Sequence, residues 1–292
     1  MKRVQLLPNL ITLANAFCGL LALAKAIDAL ALSGEDPLVF YRKMETACML
    51  IFLGMVFDSL DGLVARLTGA LSDFGAQLDS FSDALTFGIA PAMLAKVLIE
   101  HEGSLEGWHG NARLHFVAAA AFALMAILRL VRFNLETEGD EEEDGHATFR
   151  GLPSPAAAGA VASTIWLYLI LRRPELEVVE GTPTPLRRIL GWMEVVDWAP
   201  ILSWVPSLLV ALLPVLGLLM VSNVRYLHPV VALLSNRAQF VTLVAVVFGA
   251  FVLLLAPVPI LFALFNGFVL YGLFARFLHC GQAVRPSTGV ET

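Results

Sequence analysis

Long apolar runs recur from one end of this 292-residue chain to the other. A run of about 20 apolar residues can cross a membrane as a helix, which satisfies its own backbone hydrogen bonds where no water is available. Eight stretches have that character: residues 6–26, 44–64, 81–99, 116–135, 153–171, 202–221, 240–256 and 258–278. Together they use most of the chain, so one membrane domain is expected rather than two soluble ones. The composition agrees: 58% of residues are hydrophobic and only 15% charged, against about 25% charged in soluble domains. Mean hydropathy is +0.76. The expected fold class is all-α, a polytopic helical membrane bundle.

The first run follows Lys2 and Arg3. It is too long for the apolar part of a signal peptide and lacks a small-residue cleavage site, so it reads as a retained first helix. The last two runs meet at Pro257, Val258 and Pro259, which favours a tight hairpin over one long helix. Lys and Arg divide almost evenly between the two sides, so charge alone sets no orientation. The net charge of −6 owes most of its excess to "ETEGDEEEDG" at 136–145, a solvated loop by its charge density. A Pro-, Glu- and Arg-rich segment at 172–199 is expected at the membrane surface, and Trp192, Trp198 and Trp204 read as an interfacial belt.

Cys18, Cys48 and Cys280 have neither zinc nor disulfide spacing and read as packing residues. The six histidines are scattered without ligand spacing. No basic patch with interleaved aromatics suggests nucleic acid.

Against this background, "FDSLDGLVARLTGALSDFGAQLDSFSD" (57–83) carries five aspartates. Asp58 and Asp61 stand one turn apart on a helix. With Gly62, Ala65 and Arg66 they fall within an arc of roughly 140°, opposite an apolar face. After a short connection, Gly75, Asp79 and Asp83 step by four along a second helix. Two antiparallel helices bring these four carboxylates together near one membrane surface, with Asp73 out of register. Clustered carboxylates repel unless cations lie between them. Oxygen ligands favour hard divalent ions, and a two-metal site about 4 Å across suits displacement at phosphorus. Gly62 and Gly75 leave room for close ligand approach, and Arg66 offers a fork for phosphate. Membrane carboxylates also serve ion-coupled transporters, but those predict inverted repeats, and none is evident.

The pattern D-x2-D-G-x2-A-R-x8-G-x3-D-x3-D, from Asp58 to Asp83, resembles the signature of the CDP-alcohol phosphotransferase family. The resemblance implies a six-helix membrane core, usually a homodimer, with a binuclear site for Mn²⁺ or Mg²⁺ facing the cytoplasm. It implies transfer of a substituted phosphoryl group from a CDP-linked donor to an alcohol, with release of CMP. Asp58, Asp61, Asp79 and Asp83 would hold metal, and Asp83 would also be the general base. Gly62, Ala65 and Arg66 would contact the CDP part, with Gly75, Asn9 and Thr12 as further candidates. The segments "LLPNLITLANAFCGLLA", "DALTFGIAPAML", "RLVRFN", "FRGLPSPAAAG" and "MVSNVRY" resemble the membrane-type branch that makes phosphatidylserine. That branch implies CDP-diacylglycerol and L-serine as substrates and the bacterial inner membrane as location. Relatives that accept glycerol phosphate commonly carry an arginine where this chain has Asn15. Arg129, Arg132, Asn134 and Arg225 are candidates for holding the serine carboxylate or donor phosphates. The core would span residues 1–239, with an added helix pair at 240–279 and a tail at 280–292.

Overall fold

The structure is a computed structural model that describes residues 6–32, 34, 37–68, 72–105, 111–139, 148–172, 198–227 and 256–282. All but the last residue of the expected span at 240–256, the segment 173–197 and most of the acidic run lie outside the described residues. Helix α1 is Leu6–Leu32 and α2 is Pro37–Thr68. Helix α3, Asp73–Asp83, continues through a π-helical turn at Ala84–Ile89 into α4, Ala90–Leu105. Then come α5 (Ala112–Gly139), strand β1 (Thr148–Arg150) and α6 (Ser154–Arg172). The short α7 (Ala199–Leu202), α8 (Val205–Val221), strand β2 (Arg225–Leu227) and α9 (Pro257–Gln282) complete the order. Seven helical stretches among the described residues are long and apolar enough to cross a membrane. The chain is a multi-pass integral membrane protein with an all-α bundle.

Several helices run past their expected ends, because the hydrocarbon core is about 30 Å thick while α2, for example, has 32 residues. The part of α5 beyond the apolar run takes in Glu136–Gly139, expected as loop. The feature unforeseen from the sequence is a two-stranded antiparallel ribbon, β1 with β2, in which Phe149 faces Tyr226. Gly151 follows it with φ of +80°. Its N–H donates to the Val224 carbonyl at 2.8 Å, and a Cβ there would run into the Met220 carbonyl. Only glycine meets both demands.

Helix α1 shows how the bundle packs. Asn9, Thr12, Asn15, Gly19, Ala22, Ala26 and Ala29 are buried in steps of three and four, while Leu10, Leu13, Phe17, Leu20 and Ile27 are exposed on the outer side. Lipid is as apolar as leucine, so close packing of small residues, not burial alone, drives such contacts. Thr86 of the π turn sits in a notch between Gly19 of α1 and Gly54 of α2, where a Cβ on either glycine would press on it. Pro91 explains the widened turn: it has no N–H for the carbonyl four residues back. The Ala90 N–H instead reaches the Leu85 carbonyl.

At the end of the bundle away from the aspartates, Glu102 is wholly buried. It accepts from Tyr41 Oη at 2.9 Å, and Arg172 Nε lies 3.6 Å from its other oxygen. His101, stacked on Phe40 with ring centroids 3.5 Å apart, adds a contact at 3.4 Å. These contacts clamp α2, α4 and α6. Tyr41→Phe is expected to cost about 1 kcal/mol, the net worth of one such hydrogen bond. Glu102→Ala should cost more, because a buried ion pair loses one partner. Thermal unfolding in detergent checks this, and an unchanged midpoint in Glu102→Ala would show that the clamp adds no stability.

Candidate active site

The carboxylates meet where α2 ends and α3 begins. One turn of α2 carries Asp58 and Asp61, while Asp79 and Asp83 lie on α3, which packs against α1. Ser72 caps α3 by accepting from the Gly75 N–H at 3.1 Å. Asp73 lies in the first turn of α3, exposed and suited to a helix N-terminus.

Asp58, Asp61 and Asp79 each offer a carboxylate oxygen, and these oxygens lie within 4.8 Å of one another. Asp61 Oδ2 and Asp79 Oδ1 are buried without a hydrogen-bond partner. A trio of converging carboxylates with two buried, unpartnered oxygens is a set that a hard divalent cation satisfies, so the residues fit such an ion. Asp83 is not part of that trio. It touches Asp58, and Asn15 Nδ2 of α1 donates to its Oδ1 at 3.2 Å.

Helix α1 closes one side of the cluster. Thr12 Oγ1 donates to the Pro8 carbonyl at 3.1 Å, and Asp61 lies within hydrogen-bond reach of the same hydroxyl. Asn9 is buried with its Nδ2 unpartnered. A Cβ on Gly75 would stand 3.3 Å from Asn9 Oδ1, so this glycine admits α1 itself to close quarters. Gly62 differs: a Cβ there would meet nothing within 4 Å. The surface beside Asp61 is open at that point, with half-buried Ala65 one turn on. Arg66 follows on α2, and Arg225 pairs with Arg150 in the ribbon; the side chains of Arg66 and Arg225 lie outside the description.

Arg129 and Arg132, one turn apart on α5, have different neighbours. Arg129 donates from Nη1 to Ser154 Oγ at 3.2 Å, its Nε is buried without a partner, and its charge acts on Asp83. Arg132 donates to the Val221 carbonyl at 3.2 Å and to Asn223 Oδ1 at 3.0 Å, binding the end of α8. Asn134 Nδ2 donates to Ser80 Oγ of α3 at 2.9 Å. Thus the carboxylates, Asn9, Thr12 and Arg129 gather at one end of the bundle, while Arg132 and Asn134 tie neighbouring helices together there. Sequence reasoning missed Ser154, Ser80 and the link from Asn15 to Asp83. A lone serine carries no pattern, and Asn15 stood out only as a replaced arginine.

The description CDP-alcohol phosphatidyltransferase matches residues 5–198 at the level of protein families. A CDP-diacylglycerol–serine O-phosphatidyltransferase of Bacillus subtilis is 34% identical over 162 residues, covering 56% of this chain and 76% of that protein. One of the same name from Helicobacter pylori is 27% identical over 226 residues, covering 76% and 72%. An archaetidylserine synthase of Methanothermobacter thermautotrophicus is 35% identical over 159 residues, covering 54% and 56%.

The carboxylate geometry predicts that Mn²⁺ binding, followed by electron paramagnetic resonance, weakens at least tenfold in Asp61→Ala. Asp73→Ala should bind as wild type does. Equal binding by both variants would remove the site from this cluster.

Proposed function

The chain belongs to the CDP-alcohol phosphatidyltransferase family, and from that premise we propose that it transfers the phosphatidyl group of CDP-diacylglycerol to L-serine. The products are phosphatidylserine and CMP. The observation that carries the reading is the trio Asp58, Asp61 and Asp79 with Asp83 beside it, on the family's own motif. The serine acceptor is supported by the names of the relatives, which span bacteria and archaea.

Asp58, Asp61 and Asp79, with Asp83 at the edge, would hold two divalent cations, Mn²⁺ or Mg²⁺, which supply neutralisation of the carboxylates and of charge building on the phosphoryl oxygens. Asp83 accepts the proton of the serine hydroxyl, a poor nucleophile until a positioned base removes it. The hydroxyl oxygen then bonds to the phosphorus that carries the diacylglycerol. The bond from that phosphorus to the bridging oxygen breaks, and the electron pair leaves with CMP. Gly62 and Ala65 provide the open surface for the CDP part, with Arg66, Asn9, Thr12 and Gly75 as further candidates for contacting it. Arg129 receives the serine carboxylate through its unpartnered Nε, with Arg132, Asn134 and Arg225 as further candidates for that carboxylate or the donor phosphates. In this reading the protein is a homodimer of the bacterial inner membrane. Its site faces the cytoplasm, which delivers serine, while the lipid tails enter from the bilayer.

Purified protein given CDP-diacylglycerol, Mg²⁺ or Mn²⁺, and L-serine, glycerol 3-phosphate or inositol phosphate in parallel should release CMP with serine alone. Release with a phosphorylated acceptor instead would transfer the assignment to another branch. Asp83→Asn should lose at least a hundredfold in turnover while keeping CDP-diacylglycerol binding; near-normal turnover would dismiss Asp83 as the base.

Arg129→Ala should raise KM for serine more than tenfold, the worth of a charge-assisted contact, with KM for CDP-diacylglycerol little changed. The opposite pattern would assign Arg129 to the donor phosphates.

A further inference from the structure

Asp83 takes its setting from α1. Asn15 is wholly buried, and the Nδ2 group that it turns to Asp83 Oδ1 is the only kind a carboxylate accepts. Its Oδ1 therefore points the other way and has no hydrogen-bond partner. There it meets α2 at Gly54, where a Cβ would stand 2.9 Å from this oxygen and 2.6 Å from Thr86 Cγ2.

The backbone around Asp83 is tied to the same stretch of α1. Ser82 Oγ donates to the Thr12 carbonyl at 3.0 Å, and Thr86 Oγ1 donates to the Asn15 carbonyl at 2.9 Å. The residue before Asp83 and the residue three after it are thus stapled to the turn that carries Asn15. A buried acceptor left unsatisfied costs stability, and such a cost calls for a reason. Orienting the carboxylate provides one.

We propose that Asn15 is the positioning residue of Asp83: its amide holds one carboxylate oxygen so that the other faces the acceptor hydroxyl, and Gly54 keeps the space this rotamer needs. The assignment rests on Asp83 as the base. It places Asn15 behind the reacting groups, acting through Asp83 without touching either substrate.

The test uses the full-length protein with CDP-diacylglycerol, Mg²⁺ and L-serine. The stoichiometry of CDP-diacylglycerol binding counts the competent sites in each preparation. Asn15→Ala is expected to lower kcat per competent site 10- to 100-fold, roughly the effect of losing a partner that orients a site residue. KM for both substrates should stay within about threefold. Asn15→Asp keeps the shape but turns a donor into an acceptor, so it should fall at least as far. A kcat drop below tenfold in Asn15→Ala, or one explained by lost sites or raised KM, would overturn the proposal. Should those two variants yield no competent sites, Asn15→Ser decides on the same criterion, because its short side chain takes the amide away from Asp83 and leaves the Thr86 notch intact. Asp83→Asn, assayed alongside, separates the two readings. Its retained turnover would remove the base itself, whereas its loss beside an active Asn15→Ala would remove only the positioning role.

Discussion

The approach of the carboxylates from α2 and α3 is the constraint on which the rest of the bundle depends. Three of their oxygens lie within 4.8 Å of one another, in a setting where like charges interact more strongly than in water. Left to themselves they would force the two helices apart. Near the carboxylates the helices are held by contacts that carry no charge. Thr86 is wedged between Gly19 and Gly54, and two hydroxyls staple the start of the third span to carbonyls of α1. The far end of the same helices is fastened by Glu102 with Tyr41 and Arg172. The bundle therefore draws its cohesion from both ends of α2 and α4, leaving the acidic faces free to remain under-satisfied.

The acidic faces were legible in the sequence because helical spacing is local. Steps of three and four put Asp58 with Asp61, and Asp79 with Asp83, on single faces before any fold was known. The same arithmetic left Asp73 aside, and it lies exposed at a helix start. The membrane class was legible for a similar reason, since each span declares itself by its own composition. What escaped depends on distance along the chain. Asn15 and Asp83 are 68 residues apart, and Arg129 meets Ser154 across 25. Nothing local to either partner marks such a pair. The ribbon of β1 and β2 joins segments too short for a periodic pattern. The π turn lies between: Pro91 announces a disturbed helix, but not that the disturbance would carry Thr86 into the glycine notch.

Arg129 and Arg132 of α5 share a face, yet their surroundings separate their uses. Arg132 is spent on the end of α8, through a carbonyl and Asn223. Arg129 keeps a buried Nε unpartnered and acts on Asp83. Among the described side chains of α1 and α5, that leaves one guanidinium with a donor in reserve on the acidic side, and α1 contributes the neutral Asn15. On the proposed reading this arrangement suits an acceptor with one carboxylate better than one with a phosphate. A phosphate carries about two charges and three strong acceptor oxygens, and a second cation would be needed to meet it. The place where such a cation could stand on α1 is taken by an amide already committed to Asp83. A positive charge at position 15 would therefore act first on Asp83, and on the acceptor only through that carboxylate.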